Sequence, residues 1–162
     1  MKSIIKNISI FFLVCYLISC DYSQEEIIKD INVVYFIRHS ESPIAIDCGM
    51  LYYESGFVDT ITINSKDLLS KINELLFDLD TLIPQPQFTP DIRIQCLINY
   101  KNKSSEKICF GEFGTTIFNG IWMVDNDTLT YLIKKSINYY ETYEPKKFLN
   151  NMPEYVEFNK RL

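Results

Sequence analysis

Apolar and polar residues alternate, cluster and recur along this chain in ways that mark out its elements. Residues 32–38 (Asn-Val-Val-Tyr-Phe-Ile-Arg) are β-branched and aromatic and predict a strand. Residues 44–54 and 57–63 flank the turn signal Glu54-Ser55-Gly56 and predict two more strands, paired as a hairpin. Asn64 offers an N-cap, with Asp67 in the following turn. Leu68, Leu69, Ile72, Leu75, Leu76 and Leu79 then recur at helical spacing, so residues 65–80 predict an amphipathic helix. Pro84, Pro86 and Pro90 make 83–90 a stiff loop.

The second half repeats the theme. In 91–100, Ile92, Ile94, Cys96, Ile98 and Tyr100 alternate with mostly polar residues, which predicts a strand with one face on a core. Lys101–Ser105 reads as a polar turn. Residues 106–118 read as the returning strand, bulged near Gly111 or Gly114. Asn119-Gly120 is a type I′ hairpin signal, because both turn positions need positive φ, and Ile121–Val124 is the strand after it. Asp127 can cap a helix over 128–143, with Leu129, Leu132, Ile133, Ile137 and Tyr140 along one side. Pro145 ends that helix, and 146–162 is a polar tail whose Tyr155, Val156 and Phe158 can pack back. Strands in hairpins with helices between them predict an α+β fold: an antiparallel sheet of about five to six strands carrying two amphipathic helices.

The first twenty residues follow a different pattern. Lys2 and Lys6 precede an apolar run from Ile8 to Ile18, and the run ends in Leu17-Ile18-Ser19-Cys20. The run has the length of a signal-peptide core and is too short to span a bilayer comfortably. Charge, apolar run, small residue and cysteine in that order resemble the lipobox signal of bacterial lipoprotein precursors. The resemblance implies cleavage before Cys20, a diacylglycerol on its thiol and an acylated amino group. Several acyl chains, at roughly 0.8 kcal/mol per buried methylene, anchor a protein stably without a transmembrane helix. It also implies a bacterial cell-envelope location, periplasmic or surface-exposed. Asp21-Tyr22-Ser23-Gln24-Glu25-Glu26 follows. That acidic cluster looks like the surface-export signal of Bacteroidetes lipoproteins, whereas an Asp directly after the Cys resembles an inner-membrane retention signal of enterobacteria. A solvated acidic tether is the third reading.

The expected organisation is therefore a signal over 1–19, an acidic tether over 20–31, one α+β domain over 32–145 and a tail over 146–162. Removing 1–19 changes the balance of charge. The whole chain has 162 residues with net charge −5, while the 143 residues from Cys20 onward carry 14 basic and 21 acidic side chains, a net −7. Such a balance argues against a nucleic-acid surface.

Candidate chemistry is sparse. With one His in the chain, a His-rich metal site is excluded, and no metal and no cofactor are expected. Asp125-Asn126-Asp127 echoes the start of a calcium loop but lacks its glycine and terminal glutamate, so it reads as helix capping. Val33-Val34-Tyr35-Phe36-Ile37-Arg38-His39-Ser40-Glu41-Ser42 resembles the start of the histidine phosphatase family. Carried over, His39 would be the nucleophile and Arg38 a phosphate clamp. The sequence departs from that family at Ser40, where the family has Gly, and in having no second His.

After Cys15 and Cys20 are set aside, Cys48, Cys96 and Cys109 remain as thiols. An odd number permits at most one internal disulfide. Cys96 and Cys109 flank the 101–105 turn. A two- or four-residue loop would bring them face to face and permit a Cys96–Cys109 bond. A three- or five-residue loop pairs Ile98 with Ile108 and Cys96 with Phe110, and sends the two cysteines to opposite faces. Cys48 can pair with either, and three buried free thiols are the remaining alternative. Tyr52, Tyr53, Tyr139, Tyr140 and Tyr143 are candidates for a ligand face or for core packing.

Together these features suggest an anchored acidic domain that binds a protein partner and performs no catalysis, for example of the immunity or inhibitor type. A phosphatase-like enzyme on Arg38 and His39 and a structural subunit of an envelope complex are the alternatives.

Overall fold

The structure, a computed structural model, describes residues 27–37, 45–49, 51, 57–143 and 146–159. Residues 1–26, with Cys20 and the expected signal, lie outside the described residues, as do Arg38, His39, Tyr52 and Tyr53. Six antiparallel strands form one sheet: β1 (Ile28–Phe36), β2 (Val58–Ile63), β3 (Ile92–Tyr100), β4 (Glu106–Gly111), β5 (Thr116–Phe118) and β6 (Ile121–Met123), in spatial order β2-β1-β3-β4-β5-β6. The helices are α1 (Lys66–Phe77), α2 (Asp127–Ser136), α3 (Tyr139–Thr142) and α4 (Pro153–Asn159), with a 3₁₀ turn at Lys146–Asn151. The fold is α+β.

β1 begins at Ile28, so the last four residues of the expected tether belong to the sheet. β2 does not form a hairpin with a strand over 44–54. It pairs with β1, Ile31 opposite Ile63 and Phe36 opposite Val58, and the described residues 45–49 form no strand. The strand expected over 106–118 folds on itself. Gly114 takes φ +64°, the Gly111 N–H donates to the Thr115 carbonyl at 2.8 Å, and β4 and β5 pair as a hairpin. The Asn119-Gly120 turn has φ values of 50° and 84°, as the I′ geometry requires.

β1 and β3 are interior strands, and both have two buried faces. On one face Ile31, Val33, Ile94, Cys96, Ile98, Ile108 and Phe110 meet Leu69 and Ile72 of α1 and Leu129 and Ile133 of α2. On the other, Val34, Phe36, Ile92, Cys109 and Ile117 meet Ile46 and Leu51. The alternation in 91–100 predicts one wet face, yet Arg93 and Gln95 are buried too. On that face Ile46 and Leu51 pack with Ile92 and Cys109, held by the Cys48–Cys109 disulfide and by the Ile92 N–H donating to the Ile46 carbonyl at 2.8 Å, and the Arg93 guanidinium lies over the Phe36 ring. Period-2 patterning shows which residues share a face, not whether a loop returns to cover it.

This arrangement excludes the Cys96–Cys109 bond. Cys96 pairs with Ile108, which places Cys96 and Cys109 on opposite faces, and Cys96 is a buried free thiol. The register differs by two residues from the pairing of Ile98 with Ile108, since Ile98 lies opposite Glu106. A shift of two leaves every side chain on its expected face.

The helix ends also differ from expectation. Ser65, not Asn64, is the N-cap of α1, with its carbonyl accepting from the Leu69 N–H at 2.9 Å. Asn126, not Asp127, caps α2, its side chain accepting from the Leu129 N–H at 3.0 Å. The helix expected over 128–143 breaks at Asn138, which takes φ 55°. Asn tolerates that conformation better than most residues, and both halves keep their apolar stripe on the sheet. The expected tail is an integral part of the domain: the 3₁₀ turn buries Leu149, and α4 packs on α2.

Candidate functional site

Two regions concentrate the side chains that could carry function. The first is a buried polar cluster between α2, α4 and the β4–β5 turn. Lys134 sits on the last turn of α2 and faces the sheet, because Thr130 and Ile133 beside it do so. Its Nζ donates to Glu154 Oε1 at 2.6 Å and to the Glu112 carbonyl at 3.0 Å, and lies 5.2 Å from the centre of the Tyr139 ring. The Tyr143 hydroxyl donates to the Glu112 carboxylate, and Thr116 Oγ1 donates to Asp125 Oδ1 at 2.9 Å. Burial pushes the Lys134 ammonium below its usual range, against the attraction of Glu154. Burial likewise raises Tyr139, Tyr140 and Tyr143 above the usual tyrosine range, with Glu112 adding to the rise at Tyr139 and Tyr143.

A depressed lysine beside a carboxylate is chemically suited to proton transfer. Here the pair is sealed, with side-chain exposures of 0% and 1%, so no substrate reaches it. Among the described residues no three His, Cys, Asp or Glu side chains gather where they could hold a metal ion. Asp125 and Asp127 serve the start of α2, and burial raises both carboxyls above their ordinary value.

The second region is exposed. Residues 80–82 run beside β6: the Leu82 N–H donates to the Trp122 carbonyl at 2.9 Å, and the Val124 N–H donates to the Asp80 carbonyl at 2.7 Å. Gln85 then fixes the start of the proline-rich loop, its Nε2 donating to the Leu82 carbonyl and its Oε1 accepting from the Trp122 N–H at 3.3 Å. Phe88 meets the Trp122 ring edge-on, with centroids 5.4 Å apart. The loop therefore presents Ile83 at 82% exposure and Phe88 at 63%, beside exposed Ile121 and Val124. Asp80 lies exposed beside β6.

The sequence signals fall unevenly on these regions. Tyr139, Tyr140 and Tyr143 are buried in the core, and Tyr140 also borders a surface groove with Lys135, Lys146 and Tyr155. The Lys134–Glu154 pair escapes a reading of the sequence, because Glu154 falls in a segment read as tail. Pro153-Glu154 is nevertheless a recognisable helix start, with proline at the first position and an acid in the first turn. The prolines of 83–90 signal a stiff loop, but not the edge strand it leans on.

Among the described residues no helix is long and apolar enough to cross a membrane. Comparison with protein-family models, with curated proteins and with solved structures finds no match to this chain.

Proposed function

We propose that the chain is a lipid-anchored cell-envelope protein that acts by binding a basic protein partner, in the manner of an immunity protein or inhibitor, and that the β6 rim is its docking surface. The observation that carries this reading is the exposed apolar rim beside Asp80. Ile83, Phe88 and the edge of Trp122 are held in place by backbone and glutamine hydrogen bonds before any partner arrives. Such preorganisation reduces the ordering cost of association. Tryptophan and other aromatics at the centre of a patch are the residues that most often dominate binding energy. Asp80, on a chain of net charge −5, would steer a basic partner toward that centre. Anchoring rests on the resemblance of Leu17–Cys20 to a lipobox.

Two measurements test the two halves. Mass spectrometry of the full chain from native membranes should show a lipid mass on Cys20, and Cys20→Ala should leave an uncleaved precursor; normal processing of that variant would defeat the anchoring. Sedimentation of the detergent-solubilised protein should show a complex at low salt that dissociates at about 1 M salt, where the screening length is roughly 3 Å. A monomer under both conditions would defeat the binding.

A further inference from the structure

One edge of the sheet is closed and the other is open. Residues 80–82 lie beside β6, with Thr81 bridged to Met123. β2 is the other edge strand, and among the described residues nothing pairs with its outer side. α1 packs over β1 and against α2, and four successive β2 residues, Asp59, Thr60, Ile61 and Thr62, are exposed. Phe57 and Ile37, at the end of the same strand pair, are exposed as well. An open edge rich in β-branched residues is a template for another strand.

The hydrogen bonds to β1 show which groups this edge offers. The Ile37 N–H donates to the Phe57 carbonyl at 2.9 Å, and the same register runs on to Ile31 opposite Ile63. Antiparallel pairing alternates, so Asp59, Ile61 and Ile63 turn their main-chain groups to β1, while Val58, Thr60 and Thr62 turn theirs outward. The outward Thr60 N–H donates to Asp59 Oδ1 at 2.7 Å. What singles out an occupant is the run Thr60-Ile61-Thr62, which reads the same in both directions. A two-fold interface needs a patch complementary to itself, and an antiparallel copy of this run matches it residue for residue. We propose that β2 pairs antiparallel with β2 of a second copy of this chain, about a two-fold axis at Ile61, so that two sheets become one.

Charge selects that axis over its neighbours. With the axis at Ile61, each Asp59 lies opposite Ile63 of the second copy. The two Asp59 positions are then about 14 Å apart along the strands, beyond the screening length of roughly 8 Å. An axis at Thr60 would leave them about 7 Å apart, and an axis at Asp59 would set like charges face to face. At the chosen axis Ile61 meets Ile61 as a non-hydrogen-bonded pair, with about 4.5 Å between Cα atoms. Thr60 and Thr62 exchange main-chain hydrogen bonds with Thr62 and Thr60 of the second copy. The Thr60 N–H must leave the Asp59 carboxylate to do so, which keeps the association reversible.

Sedimentation equilibrium of the full chain in detergent should show a dimer whose population rises with concentration. About 1 M salt, which should release a basic partner from the β6 rim, should leave this dimer intact, because both copies are acidic. Ile61→Lys sets two ammonium groups at the axis and should weaken the dimer at least about tenfold, with an unchanged melting curve. Asp59→Val frees the Thr60 N–H and removes both charges, and should tighten the dimer about tenfold. Under a mild oxidant Ile61→Cys should give a covalent dimer joined at position 61, mapped by mass spectrometry, whereas Asp59→Cys, about 14 Å from its counterpart, should not. A monomer at every concentration, a dimer that Ile61→Lys leaves intact, or equal cross-linking from the two cysteine variants would overturn the proposal. A monomer whose open edge instead holds a foreign protein, lost on Ile61→Lys, would also overturn it and assign the edge to a foreign strand. The β2 edge lies at the other end of the strand order from the rim, so failure here leaves the reading of the rim standing, and the reverse.

Discussion

The buried cluster around Lys134 and the rim along β6 lie within one small domain but have opposite characters. In the first, charged groups capable of chemistry are sealed beneath two helices, each satisfied by a partner inside the protein. In the second, apolar groups that a core would normally bury are left in water and held rigid by hydrogen bonds behind them. The polar cluster stabilises the fold and meets no substrate, whereas the rim contributes little to the fold and is open to a partner. Residue chemistry alone would have pointed to the lysine and carboxylates. Accessibility reverses that choice.

The most severe way to break the contrast is at the cluster. Lys134→Ala leaves the Glu154 carboxylate buried without its ammonium, and should cost about 3–5 kcal/mol of stability in urea denaturation. Replacing both partners together, as Lys134→Met with Glu154→Leu, should recover most of that loss. A single variant with near-normal stability would show that the pair is not sealed.

Alkaline pH probes the same region. Folding raises Tyr139, Tyr140 and Tyr143, so their protonated forms are favoured in the native state. The stability they confer is present below the unfolded tyrosine value of about 10 and is lost as pH rises past it. Lys134, being depressed, contributes the opposite slope between its folded value and about 10.5. Tyrosinate absorbance separates the two. The buried tyrosines should ionise only together with unfolding, and ionisation in a still-folded protein would contradict their burial.

A third intervention falls between the regions. The Cys48–Cys109 bond fixes the segment that covers the second sheet face, where Ile117 and Trp122 continue the row begun by Cys109. Cys48→Ser should cost about 2–4 kcal/mol. Because Trp122 packs on the edge of that cluster, its fluorescence should redden in the variant. An unchanged denaturation midpoint would mean that burial alone holds the segment.

At the rim the balance should reverse. Phe88→Ala should weaken partner binding by about 2 kcal/mol, while changing stability by no more than about 0.5 kcal/mol, as expected for an exposed position. Asp80→Lys should have the smallest effect, under about 1 kcal/mol, expressed in the association rate and absent at high salt.

Much of the sheet was legible in the chain because period-2 alternation is local. β3, the Asn119-Gly120 turn and α1 could all be placed from neighbouring residues. What could not be read depends on distant partners. Arg93 and Gln95 look like a wet face, yet both are buried, Arg93 with its guanidinium over the Phe36 ring of β1. Cys109 looks equally able to pair with Cys96 until the register of β3 against β4 is known. Glu154 looks like part of a polar tail until α4 meets α2. The rim was half legible: three prolines within 83–90 announce a stiff loop, but its exposed apolar side chains become a surface only because β6 lies beside it.

The central claim is that the partner docks on the β6 rim. Its most direct test places a photo-activated cross-linking residue at Phe88 and, separately, at Phe148 of the 3₁₀ turn, with irradiation in cells of the native source. Both positions are exposed in the described structure. A specific protein adduct should form from position 88, be absent from position 148, and diminish when Asp80→Lys is added. Equal adducts from both positions, or none from position 88, would contradict the assignment of the rim.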